Sequence, residues 1–114
     1  MKLYHFSPYR NCISILTRGL RVNTGRTGFC VTRKCLDVYD KDYGMQPVFL
    51  TNSPCRIIKT QLGKYWKEYD IFHVNVDKLT IEMNMGKFHG FEFICREDIP
   101  PERISLAMVA PNIK

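Results

Sequence analysis

The sequence lacks any apolar run long enough to cross a bilayer. A membrane-spanning helix needs roughly 20 consecutive apolar residues, and polar or charged residues interrupt every such stretch of this chain. The N-terminal residues lead directly into polar sequence, without the apolar core of a signal peptide. We therefore expect no membrane partner and a cytoplasmic location. The length of 114 residues fits one domain over 1–114.

The sequence also lacks paired cysteine motifs. It contains five scattered cysteines, and no two of them have the two-residue gap that is typical of zinc sites and redox motifs. We expect buried, reduced thiols, with no disulfide and no bound metal. A metal site formed by Cys30, Cys35 and a distant histidine is the alternative. The cysteines are Cys12, Cys30, Cys35, Cys55 and Cys95.

Acidic residues are absent from the first third of the chain. Residues 1–36 contain seven basic side chains and no Asp or Glu, whereas the remaining 78 residues contain ten basic and eleven acidic groups. The net charge of +6 therefore originates in the N-terminal third. Such asymmetry predicts a positive surface that attracts a phosphorylated ligand, nucleic acid or an acidic protein. A solvated basic surface that only serves solubility is the alternative.

The chain begins with the pattern of a strand followed by a helix. Residues 3–6 predict a short strand, and Ser7 followed by Pro8 is typical of a helix start. Gly19 suits the left-handed residue that ends a helix. Apolar residues at spacings of three and four predict an amphipathic helix between these signals. They are Cys12, Ile15, Leu16 and Leu20.

The same pattern recurs after a long loop. Residues 21–46 contain several glycines among many polar residues, which predicts a loop with one short strand at 29–32. Residues 47–51 predict a second strand, and Ser53 followed by Pro54 starts a second helix. The buried stripe of this helix consists of Ile57, Ile58 and Leu62, and Gly63 ends it.

The C-terminal half has the period of β-strands. From Asp70 onward apolar and polar residues alternate, with Phe72 and Val74 on one face and His73 on the other. Further strands are predicted over 79–83, 91–96 and 104–109. Two short helices in the N-terminal half and a run of strands in the C-terminal half indicate an α+β fold.

Three stretches of this chain carry a family resemblance. Residues 3–20 include Leu-Tyr-His-Phe-Ser and end in Ile-Leu-Thr-Arg-Gly-Leu, residues 48–54 read Val-Phe-Leu-Thr-Asn-Ser-Pro, and residues 91–95 read Phe-Glu-Phe-Ile-Cys. In order and spacing they resemble the motifs of ADP-ribosyltransferases of the poly(ADP-ribose)-polymerase and diphtheria-toxin-like group. Residues 99–104 resemble a tail of small members of this superfamily, including relatives of RNA 2'-phosphotransferases.

The resemblance implies a compact, split antiparallel sheet and NAD as a substrate. Glu92 and His5 would be the catalytic residues. The Glu92 carboxylate would stabilise the oxocarbenium-like cation that forms when nicotinamide leaves the ribose, and His5 would position NAD in the same pocket. The family also stacks an aromatic residue of the second motif on nicotinamide, where this chain has Phe49 on the strand and no Tyr in the following helix. The implied NAD-binding residues are His5, Phe6, Ser7, Arg18, Thr51 and Ser53.

Simpler interpretations stand beside these roles. His5 alone also fits a buried strand histidine, and Glu92, which alternates with apolar residues, also fits a glutamate on the solvent face of a strand. The resemblance implies an NAD-dependent mono-ADP-ribosyltransferase that acts on a protein or nucleic-acid acceptor. The missing second-motif Tyr also fits a catalytically inactive binding or inhibitor module with the same fold. An RNA 2'-phosphotransferase-like enzyme is the third alternative.

Overall fold

A six-stranded antiparallel sheet forms the centre of the protein. The structure, a computed structural model, describes residues 2–22, 47–83 and 90–111. The strand order is β4-β5-β2-β1-β3-β6, and every neighbouring pair is antiparallel. The predicted strand at 29–32, Cys30 and Cys35 lie outside the described residues. The strands are β1 (Lys2–Pro8), β2 (Val48–Thr51), β3 (Tyr69–Asn75), β4 (Ile81–Met83), β5 (Glu92–Cys95) and β6 (Ile104–Met108).

Short helices connect the strands, and the α+β prediction is confirmed. Helix α1 spans Cys12–Arg18 after a 3-10 turn at Tyr9–Asn11, and α2 spans Pro54–Ile57. A π-helical segment, Ile58–Leu62, follows α2 directly. Further 3-10 segments cover Gly63–Glu68 and Pro101–Arg103. In the described part of the chain no helix is long and apolar enough to span a membrane.

The prediction that the first helix starts at Ser7 and Pro8 is wrong. Both residues belong to β1, where Ser7 pairs with Asp70 and Pro8 with Tyr69. The Ser7 hydroxyl is buried and accepts a hydrogen bond from Nδ2 of Asn11 at 3.1 Å. The Ser7 hydroxyl therefore binds the side chain of Asn11 and does not cap a helix. Helix α1 begins only at Cys12.

The sheet has one hydrophobic cluster on each face. The face covered by α1, called the α1 face, holds Leu3, Phe72 and Val74 and packs against Ile15. The opposite face, called the α2 face, holds Phe6 and Ile71 of the sheet, packed against residues of α2 and the π-helical segment. The prediction that Leu16 belongs to the buried stripe of α1 is wrong, because its side chain is exposed.

The two halves of the sheet are joined by a narrow contact. Strand β1 pairs with β3 at all seven of its positions, from Lys2 to Pro8. It pairs with β2 at one position only, Tyr4 with Thr51. Within the one sheet, the three strands β4-β5-β2 and the three strands β1-β3-β6 are therefore joined by a single residue pair.

The end of α1 is fastened to the chain before β6. Gly19 has φ of 84°, which an L side chain rarely adopts, and an added Cβ would lie 2.1 Å from the carbonyl oxygen of Ile99. Leu20 and Ile99 exchange two backbone hydrogen bonds of 2.9 and 2.8 Å. The sequence prediction that Gly19 ends the helix is confirmed, with close backbone approach as a second reason for glycine.

Candidate functional site

One row of paired residues crosses the middle of the sheet. Tyr4 pairs with Thr51, and Thr51 pairs with Glu92. Side chains that stand opposite each other in antiparallel strands point to the same face. Glu92 therefore shares the α2 face with Thr51 and Tyr4, and it is the first residue of β5.

These residues line a small pocket on the α2 face. The space between their side chains is about 180 Å³ and partly open to solvent. That volume includes space open to solvent, and the enclosed part has room for at most about one water molecule, whereas pockets that hold whole drug-sized molecules measure roughly 300–1,000 Å³. Its lining includes Tyr4, Phe6, Phe49, Thr51, Ile57 and Glu92.

Glu92 is a buried carboxylate with a defined partner. Its side chain is 2% exposed, which excludes the interpretation of Glu92 as a glutamate on the solvent face. Its Oε2 accepts a hydrogen bond of 3.0 Å from Nε2 of Gln61, which lies in the π-helical segment. Buried carboxylates need such donors because desolvation of a bare charge is costly. Single-turn π segments occur frequently at functional sites.

Gln61 is a site residue that was not expected from the sequence. A usable signal was present, because Gln61 follows Ile57 by four residues and side chains at that spacing share a helix face. Ile57 is buried in the cluster of the α2 face. A polar residue on that face must find a buried partner, and Glu92 is that partner.

Thr51 shapes the turn from β2 into α2. Its hydroxyl donates to the carbonyl oxygen of Phe91 and accepts from the backbone N–H of Ser53 at 3.0 Å. Ser53 occupies the N-cap position of α2, but its side chain makes no capping hydrogen bond. Its carbonyl instead accepts from the N–H groups of Arg56 and Ile57. Of these two expected site residues, Thr51 lines the pocket, and Ser53 follows it at the start of α2.

His5 lies behind the pocket rather than in it. It stands between Tyr4 and Phe6 in β1, and alternation along the strand turns its side chain to the other face of the sheet. The residue is 3% exposed. Its Nδ1 lies 2.8 Å from the carbonyl oxygen of Phe49. The expectation that His5 and Glu92 line the same pocket is therefore wrong, for the physical reason of strand alternation.

Burial keeps the His5 ring neutral. Desolvation lowers the pKa of His5 from 6.5 to about 4, and the hydrogen bond to Phe49 offsets part of that effect. A neutral ring has one N–H, and a carbonyl oxygen can only accept, so Nδ1 carries the proton. His5 thus links β1 to the backbone of Phe49 at the point where the two strands no longer pair.

The ring of Phe49 forms one aromatic side of the pocket, although the sequence did not show to which face of the sheet it points. It pairs with Ile94 two positions along from the Thr51–Glu92 pair, so its ring lies on the same face as the carboxylate. The ring and the carboxylate both line the pocket. An aromatic ring beside a buried carboxylate forms a site suited to a planar cation.

The remaining expected site residues are separated between the two faces. Phe6 lines the pocket together with Glu92. Ser7 lies on the α1 face, paired with Asp70. Arg18 is the exposed last residue of α1, which covers the α1 face. The structure therefore brings together Glu92, Thr51 and Phe6, and it does not bring His5, Ser7 or Arg18 to them.

Comparisons with known proteins identify no relative. No family model matches the chain, no curated protein matches it, and no solved structure matches it. Within residues 2–22, 47–83 and 90–111 no group of three or more His, Cys, Asp or Glu side chains is arranged to hold a metal ion. The geometry of the Glu92 pocket is therefore the basis of the functional argument.

Proposed function

We propose that the protein is an NAD-dependent mono-ADP-ribosyltransferase in which Glu92 is the catalytic carboxylate. The observation that carries the proposal is the buried carboxylate of Glu92 beside the ring of Phe49 in one pocket. The single residue pair that joins β1 to β2, Tyr4 with Thr51, supports it, because the resemblance implies a split antiparallel sheet.

The chemistry follows from the charge of the leaving group. Nicotinamide in NAD is a cationic substituent, and its C–N bond to ribose breaks with both electrons going to the ring nitrogen. The ribose carbon then becomes oxocarbenium-like, and a fixed carboxylate in a desolvated pocket stabilises that positive charge. Glu92 also orients or deprotonates the hydroxyl or amine of the acceptor, which forms the new bond to the same carbon.

His5 acts in this proposal through Phe49. Its ring holds the backbone carbonyl of the residue whose side chain forms the aromatic wall. The position of the Phe49 ring decides where nicotinamide stacks, so His5 contributes to positioning without contact with NAD. The charge stabilisation by Glu92 does not depend on that contact.

The experiment for this proposal is nicotinamide release from NAD by the purified protein, with and without acceptor candidates. Release that Glu92→Gln abolishes supports the enzyme. The isosteric amide keeps the volume of the pocket and a hydrogen-bonding side chain opposite Gln61, while it removes the charge.

The second candidate is a catalytically inactive binding module with the same fold. Two observations favour it: Gln61 already occupies one oxygen of Glu92, and His5 is outside the pocket. In this case Glu92 is a structural carboxylate, and the protein releases no nicotinamide while it retains partner binding in the Glu92→Gln variant. The two candidates therefore give opposite results for nicotinamide release by the wild type.

A further inference from the structure

The segment that follows β2 carries an unexpected surplus of positive charge. Between residues 54 and 68 it has four basic side chains and one acidic residue, Glu68. All four basic residues are exposed. The sequence analysis located the positive charge in the N-terminal third, because this local surplus is cancelled by acids elsewhere in the remaining chain. The four residues are Arg56, Lys59, Lys64 and Lys67, and we call the surface that they form the basic segment.

The spacing of the basic residues groups them in pairs. Arg56 and Lys59 are three residues apart in the helical stretch that begins with α2, and side chains at that spacing are neighbours. Lys64 and Lys67 are three residues apart in the 3-10 segment, where such positions lie on the same side. None of the four forms an ion pair within the part of the chain that the structure describes. Their charge is therefore directed to solvent.

Exposed aromatic surface lies between these charges. Tyr65 is 59% exposed, and Nζ of Lys64 lies 5.4 Å from the centre of its ring. The exposed ring of Tyr65 offers a flat apolar surface beside positive charge, which suits a ligand with flat faces and negative charge. Unpaired nucleic-acid bases stack on such rings while Lys and Arg contact the phosphates.

The basic segment is connected to the Glu92 pocket at two points. The guanidinium of Arg56 lies 5.4 Å from the ring centre of Phe91, the residue that precedes Glu92. Gln61, in the middle of the segment, donates its hydrogen bond to Glu92. The basic residues and the Glu92 pocket are therefore neighbours on the protein surface.

From these observations we propose that the basic segment binds single-stranded nucleic acid. The inference rests on the proposed function in one respect: it makes a single-stranded nucleic acid the acceptor of ADP-ribose. The binding itself requires no NAD and no catalysis. The Lys and Arg side chains take the phosphates, and Tyr65 provides the stacking surface for an unpaired base.

The test is fluorescence anisotropy with a labelled oligothymidylate of about 12 nucleotides, a length within the range of single-strand binding sites. The titration is made without NAD at several salt concentrations. We expect the double variant Lys59→Glu with Lys64→Glu to weaken binding at least about tenfold. The slope of the logarithm of the binding constant against the logarithm of the salt concentration should become shallower by more than about one unit. Tyr65→Ala should weaken binding at least about fivefold.

The matched control is Arg18→Glu with Lys78→Glu, which makes the same charge change at two exposed residues, one at the end of α1 and one in the turn after β3. These variants should bind like the wild type. Equal loss in both double variants, or equal affinity for a duplex of the same length, would overturn the proposal, as would no binding by the folded wild type. Nicotinamide release is measured separately, so absence of NAD chemistry with intact oligonucleotide binding refutes only the proposed function.

Discussion

The amide of Gln61 donates a hydrogen bond of 3.0 Å to the carboxylate of Glu92, 31 residues later in the chain. The contact joins the π-helical segment after α2 to the first residue of β5. It holds one carboxylate oxygen at a fixed place in the pocket. In the proposed mechanism this makes Gln61 a positioning residue for the charge that stabilises the transition state.

Replacement of Gln61 by Ala should lower the rate of nicotinamide release by about tenfold through kcat, with little change in KM. The carboxylate remains but loses the hydrogen bond that holds one of its oxygens, so the interaction lost is one made in the transition state. We also expect a loss of about 1–3 kcal/mol in the free energy of unfolding, because a buried carboxylate loses a donor. Thr60→Ala, an exposed change in the same segment, serves as the control. An unchanged kcat would contradict the positioning role.

His5 should make the stability of the protein depend on pH. Burial lowers the pKa of His5 to about 4 in the folded state, compared with 6.5 for a histidine side chain in water. The unfolded chain therefore binds a proton that the folded protein excludes, and stability falls as the pH drops from about 6.5 to about 4. The difference corresponds to about 3 kcal/mol in the free energy of unfolding.

Urea unfolding at several pH values measures this effect. His5→Gln should remove the His5 part of the pH dependence, whereas His73→Gln on β3 should leave it in place. If the wild type and the His5→Gln variant lose stability in parallel between pH 6.5 and 4, the buried neutral ring is not the cause.

Thr51→Val should destabilise the protein although the two side chains have nearly the same shape. The hydroxyl of Thr51 donates a hydrogen bond to the carbonyl oxygen of Phe91 and accepts one from the N–H of Ser53. Loss of both bonds leaves two backbone groups without that partner, at a cost of about 1–3 kcal/mol in the free energy of unfolding. Thr51→Ser keeps the hydroxyl and should cost less than Thr51→Val. Equal stability of wild type and Thr51→Val in urea would refute the role of the hydroxyl.

Gly19→Ala and Gly63→Ala form a matched pair. Both glycines have positive φ, 84° and 53°, but an added Cβ at Gly19 meets the oxygen of Ile99 at 2.1 Å whereas the space around Gly63 is open. We expect about 1–2 kcal/mol of destabilisation at Gly63 from the backbone conformation alone. At Gly19 we expect about 3 kcal/mol or more, since the backbone contact to Ile99 must also shift. Thermal unfolding of the two variants tests this order.

Much of the fold could be predicted from local patterns. The alternating apolar residues Phe72 and Val74 predicted strand β3 and its buried face correctly. Such alternation is a property of the strand itself, since successive side chains point to opposite faces. The helix start at Ser7 and the burial of Leu16 were predicted wrongly, because both depend on which elements the chain later packs against. β3 extends to Tyr69 and pairs with Pro8, which no signal within residues 1–20 indicates.

The residues of the candidate site were predictable in part. Glu92 was identified from the resemblance of residues 91–95, and the structure adds that it is buried and lines one pocket with Thr51 and Phe6. The separation of His5 from Glu92 depends on the register of β1, β2 and β5, and a shift of one residue would reverse the face. Register is set by pairing between distant segments, so the sequence alone could place neither His5 nor the ring of Phe49.

The central claim is that Glu92 is a catalytic carboxylate, and nicotinamide release by the wild type, Glu92→Gln and Glu82→Gln tests it most directly. Glu82 pairs with Arg96 at 2.6 Å on the exposed edge of the sheet, so its replacement controls for the loss of a carboxylate outside the pocket. We predict release by the wild type and Glu82→Gln, and a rate lower by about 10²–10³ for Glu92→Gln. No release by the folded wild type, or equal release by Glu92→Gln, would contradict the claim.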